Sequence, residues 1–283
     1  MSQIIIQGLL LSGLYALIAV GFTMIFSVGR VLNLAYGVYI MLGGYVYFQC
    51  VQVWHLPKPL GFLIAVSAGV AFAVATYQLL VRRLENNPVA VEISTLILAV
   101  VMQALIVMIY GAASRTMWPL VNGVLRTDGV TVPYNILIAT IASWFILGGL
   151  MWFVHKTHLG RAIMAVSMDR KGAMVSGIDP RRISLITWMI SGGLGAIAGV
   201  FFATYTQLDP SMWVGPLIIA VAVVVIGGIG SIVGSLIVAH LIGFMETITT
   251  SLLAAELRGV FTMLLIIIVL IVAPKGLFGR EEL

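Results

Sequence analysis

The sequence predicts an all-α, polytopic membrane protein: a bundle of about nine helical spans, within a range of eight to ten. Three observations carry this. The chain of 283 residues is 61% hydrophobic and 9% charged, with a mean hydropathy of +1.14. A soluble domain carries about 25% charged residues, so this chain cannot cover itself with polar surface. Its apolar runs reach the roughly 20 residues that a helix needs to cross the hydrocarbon. They also lack the alternation of barrel strands of about ten residues each, which leaves a helical bundle. Finally, the charges gather between the runs, as membrane topology requires. Residues 1–283 read as one transmembrane domain with a polar loop at 155–182.

The first span runs from Ile4 to Ser27, followed by a turn with Gly29, Arg30 and Asn33. The second, Leu34 to Val53, ends at a loop with His55, Pro57, Lys58 and Pro59. The third, Leu60 to Val81, stops at Arg82-Arg83, and Asn86-Asn87-Pro88 breaks the chain before the fourth, Val89 to Gly111. A polar loop from Ala112 to Pro133 holds Arg115, Arg126 and Asp128-Gly129. The fifth span is Tyr134 to Val154, and the sixth, beyond the basic loop, is Ile183 to Thr206, closed by Gln207-Leu208-Asp209-Pro210. From Trp213 to Leu253 the chain is apolar for about forty residues, too long for one helix at about 1.5 Å per residue. Gly227-Gly228-Ile229-Gly230-Ser231 divides it in two. After Glu256 and Arg258 comes a last span, Gly259 to Ala273, ended by Pro274-Lys275-Gly276.

The polar stretch from His155 to Arg182 carries six of the 15 Lys and Arg residues: Lys156, Arg161, Arg170, Lys171, Arg181 and Arg182. Positive loops stay on the cytoplasmic side. Counting outward from this loop places the N-terminus outside and the C-terminus in the cytoplasm. Arg30, Arg82, Arg83, Lys275 and Arg280 then join the cytoplasmic side, while Lys58, Arg115, Arg126 and Arg258 lie outside. The net charge of +5 is thereby explained by topology rather than by nucleic acid. The N-terminal MSQIIIQ lacks the basic n-region of a cleaved signal peptide. The lone Cys50 excludes an intrachain disulfide framework and a cysteine metal cluster.

Within the basic loop, Arg170 to Gly177 has the length of a short helix. Ser167 or Asp169 is positioned to cap its start, where a carboxylate favours the helix dipole. Gly177 is a natural stop, and Pro180 prevents continuation. Such a helix docks on a partner, or lies in the headgroups as an interfacial anchor. Ser191, Gly195 and Gly199, like Gly230 and Gly234, are four apart, the spacing at which helix backbones approach closely. Polar residues inside spans are costly and mark functional candidates: Asn33, Gln78, Glu92, Gln103, His240 and Glu246. Asn33 and Tyr36 also suit a helix cap, and Glu92 and Glu246 suit pairing between helices. His240 has no second ligand nearby, so no metal site is expected. No Ser-His-Asp set or carboxylate pair marks a catalytic centre. The six Trp residues lie mostly near span ends, as in an aromatic belt.

Four ordered motifs carry a resemblance. They are Leu32-Asn33-Leu34-Ala35 with Gly37 and Met41-Leu42-Gly43-Gly44-Tyr45; Gly160-Arg161-Ala162 with Asp169, Ala173, Gly177-Ile178 and Arg181-Arg182; Gly227 through Gly234; and Pro274-Lys275-Gly276-Leu277-Phe278-Gly279. Together they span nearly the whole chain, which resembles the permeases of branched-chain amino acid ABC importers, in particular the H-type subunit. Gly172 departs from the family's helix-favouring residue. The resemblance implies that Asp169 to Gly177 is a coupling helix, with Asp169, Arg170, Lys171, Ala173, Gly177 and Ile178 engaging a cytoplasmic ATPase. It implies two ATP-binding cassette subunits, a second permease subunit as hetero- or homodimer, an extracytoplasmic binding protein, and a prokaryotic inner-membrane location. Asn33, Tyr36, Gly37, Glu92, Gly227, Gly228 and Gly230 are the pathway candidates.

The chain itself has no phosphate-cradling GxxxxGK[ST] loop. It is therefore expected to be no enzyme and to bind no cofactor, with ATP and Mg used by partners. Urea, short amides and aromatic acids are alternative cargoes within the same resemblance. Two other classes compete. An ion-coupled secondary transporter requires essential intramembrane acids, for which only Glu92 and Glu246 qualify. An intramembrane enzyme requires a catalytic cluster.

Overall fold

A computed structural model describes residues 2–127, 130–228, 230–253, 257, 259–273 and 276–278. Asp128-Gly129, Ile229, Glu256, Arg258, Pro274-Lys275, Gly279 and Arg280 therefore lie outside the described residues. The apolar runs are helices: α1 (Ser2–Gly29), α2 (Tyr36–Phe48), α3 (Lys58–Thr76), α5 (Pro88–Tyr110), α6 (Tyr134–Lys156), α9 (Pro180–Thr206), α10 (Val214–Gly227), α11 (Ile232–Leu252) and α12 (Val260–Val272). α2 and α3 each continue through a π-helical turn, Gln49–Val53 and Tyr77–Val81, and the second leads into α4 (Arg82–Leu84). Two short helices, α7 (His158–Met168) and α8 (Arg170–Val175), occupy the basic loop.

Three features differ from the expectation of nine uniform spans. Six helices among the described residues are long and apolar enough to cross a membrane. α10, with 14 residues, and α12, with 13, are shorter, and so is α2, with 13, before its π turn adds Gln49 and Gln52. Secondly, the fold is not purely helical. The loop after α5 holds an antiparallel hairpin, β1 (Val124–Thr127) with β2 (Val130–Pro133), in which Leu125 faces Val132. Thirdly, Pro180 does more than end the preceding helix. It opens α9 as its first residue, behind Asp179, whose Oδ1 accepts from Arg181 N at 2.9 Å. Its fixed φ and missing N–H suit that position.

α1 and α9 pack directly on each other at the centre, and α2 lies against α9. In the most apolar stretch of α1, 83% of the residues are buried, against 17% in α5. Lipid supplies no hydrophobic drive between helices, so close backbone approach must hold them. α9 achieves this with small residues. Ser191 donates to the Gly21 carbonyl of α1 at 2.6 Å. Gly199 sits on the Ile40 carbonyl of α2. Gly192 faces Gly69 of α3, where an added Cβ would lie 2.7 Å from the carbonyl oxygen. α11 runs antiparallel to α1, and Thr23 and Ser235 share a buried hydroxyl contact of 2.7 Å. The spacing of Ser191, Gly195 and Gly199 thus serves packing. Gly230 lies in the break before α11, so its spacing to Gly234 is not a helical one.

Polar contacts sort the helix ends onto two faces. On one, Gln52 beyond α2 meets Thr116 and Trp118, Lys58 of α3 reaches Pro119, and Asn135 of α6 meets Thr204 of α9. On the other, Arg30 beyond α1 reaches the Met168 carbonyl of α7, and Glu85 after α4 meets Arg170 and Arg181. The hairpin belongs to the first face, and α7 and α8 to the second.

Candidate functional site

The basic loop is built by local rules. Thr157 caps α7, accepting from Gly160 N at 3.0 Å. Ile163 and Val166 bury one side of α7 against the bundle. α8 follows at once, capped by Asp169, whose Oδ1 accepts from Lys171 N at 2.9 Å. Ser167, the alternative cap, instead donates to the Met164 carbonyl. Gly177 ends α8 with φ +81°. Its N–H reaches Met174 O at 3.0 Å, and that of Ile178 reaches Ala173 O at 3.0 Å, satisfying the free carbonyls of the last turn. Gly172 has a structural role: a Cβ there would lie 2.6 Å from Asp169 Oδ2, so glycine leaves room for the capping carboxylate.

The six residues of the coupling set divide by exposure. Ala173 is buried against the protein and Ile178 is half-buried, while Asp169, Arg170, Lys171 and Gly177 are exposed. Met174 and Val175 also face outward, Val175 at 90% exposure. They supply the apolar part of the face of α8. The composition of RKGAMV contained them, but only the fold selects them over Ala173.

Glu85 is the functional candidate that sequence reading missed. Its Oε2 accepts from Arg170 Nη2 at 2.9 Å. Its Oε1 accepts from Arg181 Nη2 at 2.9 Å and Nε at 3.2 Å. Burial raises the Glu85 carboxyl, but the two arginine hydrogen bonds and charges outweigh it and hold the carboxyl below the ordinary glutamate range. The only sequence signal was a single acid directly after Arg82-Arg83-Leu84. On the opposite face, Asp209 is also held low: burial raises it, and bonds from Ser211 and Ser114 prevail.

The pathway candidates fall in three places. Asn33, Tyr36 and Gly37 lie in the interior at the start of α2. Asn33 Oδ1 accepts from Ala35 N at 3.1 Å and its Nδ2 donates to Tyr39 Oη at 3.0 Å. Tyr36 Oη donates to the Ile18 carbonyl at 2.8 Å, and Gly37 lies on the Trp213 carbonyl. Glu92 is half-buried on α5, the least buried of the six long apolar helices. Gly227, Gly228 and Gly230 form the break between α10 and α11. Gly228 and Gly230 have φ of +93° and +80°, and a Cβ added to Gly227 would lie 2.8 to 2.9 Å from the Gly234–Ser235 backbone. Ser231 caps α11 through Gly234 N at 3.0 Å.

The tail closes on this break. Leu277 N donates to Ile226 O at 2.7 Å, and an added Cβ on Gly276 would lie 2.5 Å from Gly228 N. Two motifs almost fifty residues apart in the sequence are thus one contact. Gln103 accepts from Trp213 Nε1 at 2.7 Å, Glu246 is buried, and His240 Nδ1 lies 2.8 Å from the Leu236 carbonyl. Among the described residues no group of three or more His, Cys, Asp or Glu side chains gathers to hold a metal ion.

The fold and this loop define a multi-pass helical membrane protein with a short helix, capped at both ends, presented at one end of the bundle. A family profile described as branched-chain amino acid transport system permease component matches residues 4–270. The chain belongs to that family. It is 28% identical to the high-affinity branched-chain amino acid transport system permease protein BraD of Pseudomonas aeruginosa, over 99% of this chain and 96% of the relative. It is likewise 28% identical to LivH of Escherichia coli strain K12, with the same coverage. Its identity to the ribose import permease protein RbsC of Escherichia coli strain K12 is 28%, over 82% of this chain and 73% of that protein. No solved structure matches.

Proposed function

We propose that this chain is the H-type permease subunit of a prokaryotic ABC importer that moves branched-chain amino acids, or related small solutes, inward by alternating access. The observation that carries the reading is α8. It is fixed at both ends and offers Met174 and Val175 outward beside Arg170 and Lys171. A short helix with an apolar centre and charged rim suits a cleft on a soluble partner, as interfaces combine apolar anchors with a polar rim. In this reading residues 1–283 form one transmembrane domain. Nine helices cross the inner membrane, with the hairpin and N-terminus outside and α7, α8 and the C-terminus in the cytoplasm.

Two cassette subunits bind ATP and Mg, and α8 passes their closure to the bundle through Asp169, Arg170, Lys171, Ala173, Gly177 and Ile178. A binding protein delivers cargo to the hairpin face. A second permease covers the exposed sides of α5 and α6, and cargo passes between the two, with Asn33, Tyr36, Gly37, Glu92 and the Gly227–Gly230 break as the residues to test. The chain performs no chemistry and binds no cofactor of its own. Urea, short amides and aromatic acids are the alternative cargoes, because the ribose relative separates family membership from substrate.

The test is to tag the chain, purify it in mild detergent from its own host and identify what accompanies it. A P-loop ATPase and a second permease in stable amounts are expected. A folded chain that purifies alone overturns the reading in favour of an ion-coupled transporter, and Glu92 and Glu246 become the residues to examine. The orientation has its own test. Single cysteines replacing Val175 and Leu125, both exposed, in a Cys50→Ala background are expected to react with an impermeant maleimide from opposite sides. Labelling of both from one side refutes the topology.

A further inference from the structure

We propose that Glu85 is a positioning residue that makes the turn between α4 and α5 move together with α8, the inference resting on the reading of α8 as the coupling helix. Both carboxylate oxygens are engaged, one by the first turn of α8 and the other by the first turn of α9. Oε2 holds Arg170, the first residue of α8, at 2.9 Å, and Oε1 holds Arg181, the second residue of α9, at 2.9 and 3.2 Å. The Glu85 side chain is 16% exposed and the arginines 42% and 59%, so the acid is the sheltered hub and the arginines the arms.

The hub sits on a stiff mount. α3 runs through its π turn into α4, Asn87 N donates to Leu84 O at 2.8 Å, and Asn87 caps α5 through Ala90 N at 3.2 Å. Pro88 then fixes the first residue of α5. A second tie lies beside the first: Tyr77 Oη donates to the Arg181 carbonyl at 3.2 Å, and its ring lies against Trp188 at 5.6 Å. The Arg181 arm is thereby doubly anchored to α3. The Arg170 arm is the link from α8 itself to this mount, and charge-assisted bonds of this length tolerate little stretching. A displacement of α8 by a bound ATPase is carried through Arg170 and Glu85 to α3 and α5.

The experiment uses the intact complex purified from its host, reconstituted in liposomes with its binding protein and leucine. The readout is leucine transported per ATP hydrolysed, alongside complex yield and melting temperature. Glu85→Gln and Arg170→Gln are each expected to lower the ratio about tenfold, the scale of losing a charged hydrogen bond. Yield should stay normal, and the double variant should be no worse than Glu85→Gln alone, since Arg170 acts through Glu85. A lower melting temperature with an unchanged ratio means that Glu85 only stabilises the loop, and overturns the proposal. Val175→Asp separates the two levels. If it lowers the ratio while Glu85→Gln and Arg170→Gln do not, the positioning role falls and the coupling reading stands. If all three leave the ratio unchanged, the coupling reading falls as well. Should Glu85→Gln fail to assemble, Glu85→Asp, which keeps the charge but draws the carboxylate back from both arginines, is read in its place, and an unchanged ratio overturns the proposal.

Discussion

Gly199→Val is expected to prevent accumulation of the folded permease. Gly199 lies where α9 meets α2, and an added Cβ would run into the Ile40 backbone, 2.7 Å from its carbonyl carbon and 2.9 Å from its Cα. A side-chain neighbour could rotate away, but a backbone carbonyl inside a helix cannot. The two helices must separate, and the neighbouring contacts of Gly43 with Ala196 and of Gly195 with Tyr39 separate with them. Overpacking of a tight interior costs about 1–3 kcal/mol and more where nothing yields, so the upper end of that range is expected. Fluorescence-detected size exclusion of membrane extracts reads the result as loss of the monodisperse peak. Gly148→Ala is the control: no atom lies within 4 Å of the added Cβ, and its peak should match wild type. A normal peak for Gly199→Val would mean that α2 and α9 do not meet as described.

Gly177→Trp is expected to insert and fold yet lose transport. The position is open, with nothing within 4 Å of an added Cβ. The internal cost is therefore the backbone alone, about 1–2 kcal/mol for an L-residue at positive φ. Outside the chain, the indole projects from the end of the exposed α8 face into the space where an ATPase cleft would close. A bulky misfit in a packed contact costs about 1–3 kcal/mol, so transport per ATP should fall roughly tenfold or more. Gly177→Asn separates backbone from bulk, since asparagine tolerates the left-handed conformation. It should retain most transport. Substrate-stimulated ATP hydrolysis at the wild-type level in Gly177→Trp would sink the assignment of α8.

Much of the fold was legible because its rules are local. Among the described residues each apolar run holds a helix, six of them long and apolar enough to cross a membrane, and the divisions at Asn87-Pro88 and at Gly227-Gly228 held. The cap at Asp169 and the stop at Gly177 were readable for the same reason: each depends on residues within one helical turn. The strands Val124–Thr127 and Val130–Pro133 were not legible, because each is only four residues long within a stretch that reads as polar loop. α7 was hidden by the charges around it, although Ile163 and Val166 bury one of its sides.

Within the candidate site, chain-distant contacts were out of reach. Nothing near Glu85 announces two arginines 85 and 96 residues away, and nothing in the tail announces that Gly276 lies on Gly228. Asn33 and Tyr36 were recognised as polar residues at a span entry. Their hydrogen bonds to Tyr39, Ala35 and Ile18, all inside this chain, emerged only with the packing.

The sequence by itself determined the class of the protein, the order of its helices and the charged loop on which a partner would act. Hydropathy, proline and glycine breaks, and capping chemistry act over a few residues and override their surroundings. The tertiary structure alone decided that α9, α1 and the tyrosine-rich α2 form the centre and that α5 stands at the margin. It also decided that Glu85 joins Arg170 at the start of α8 to Arg181 at the start of α9. The physical reason is the solvent. In water an apolar face points inward and betrays itself. In lipid both faces of a helix are apolar, so the choice between them rests on where small residues let two backbones touch.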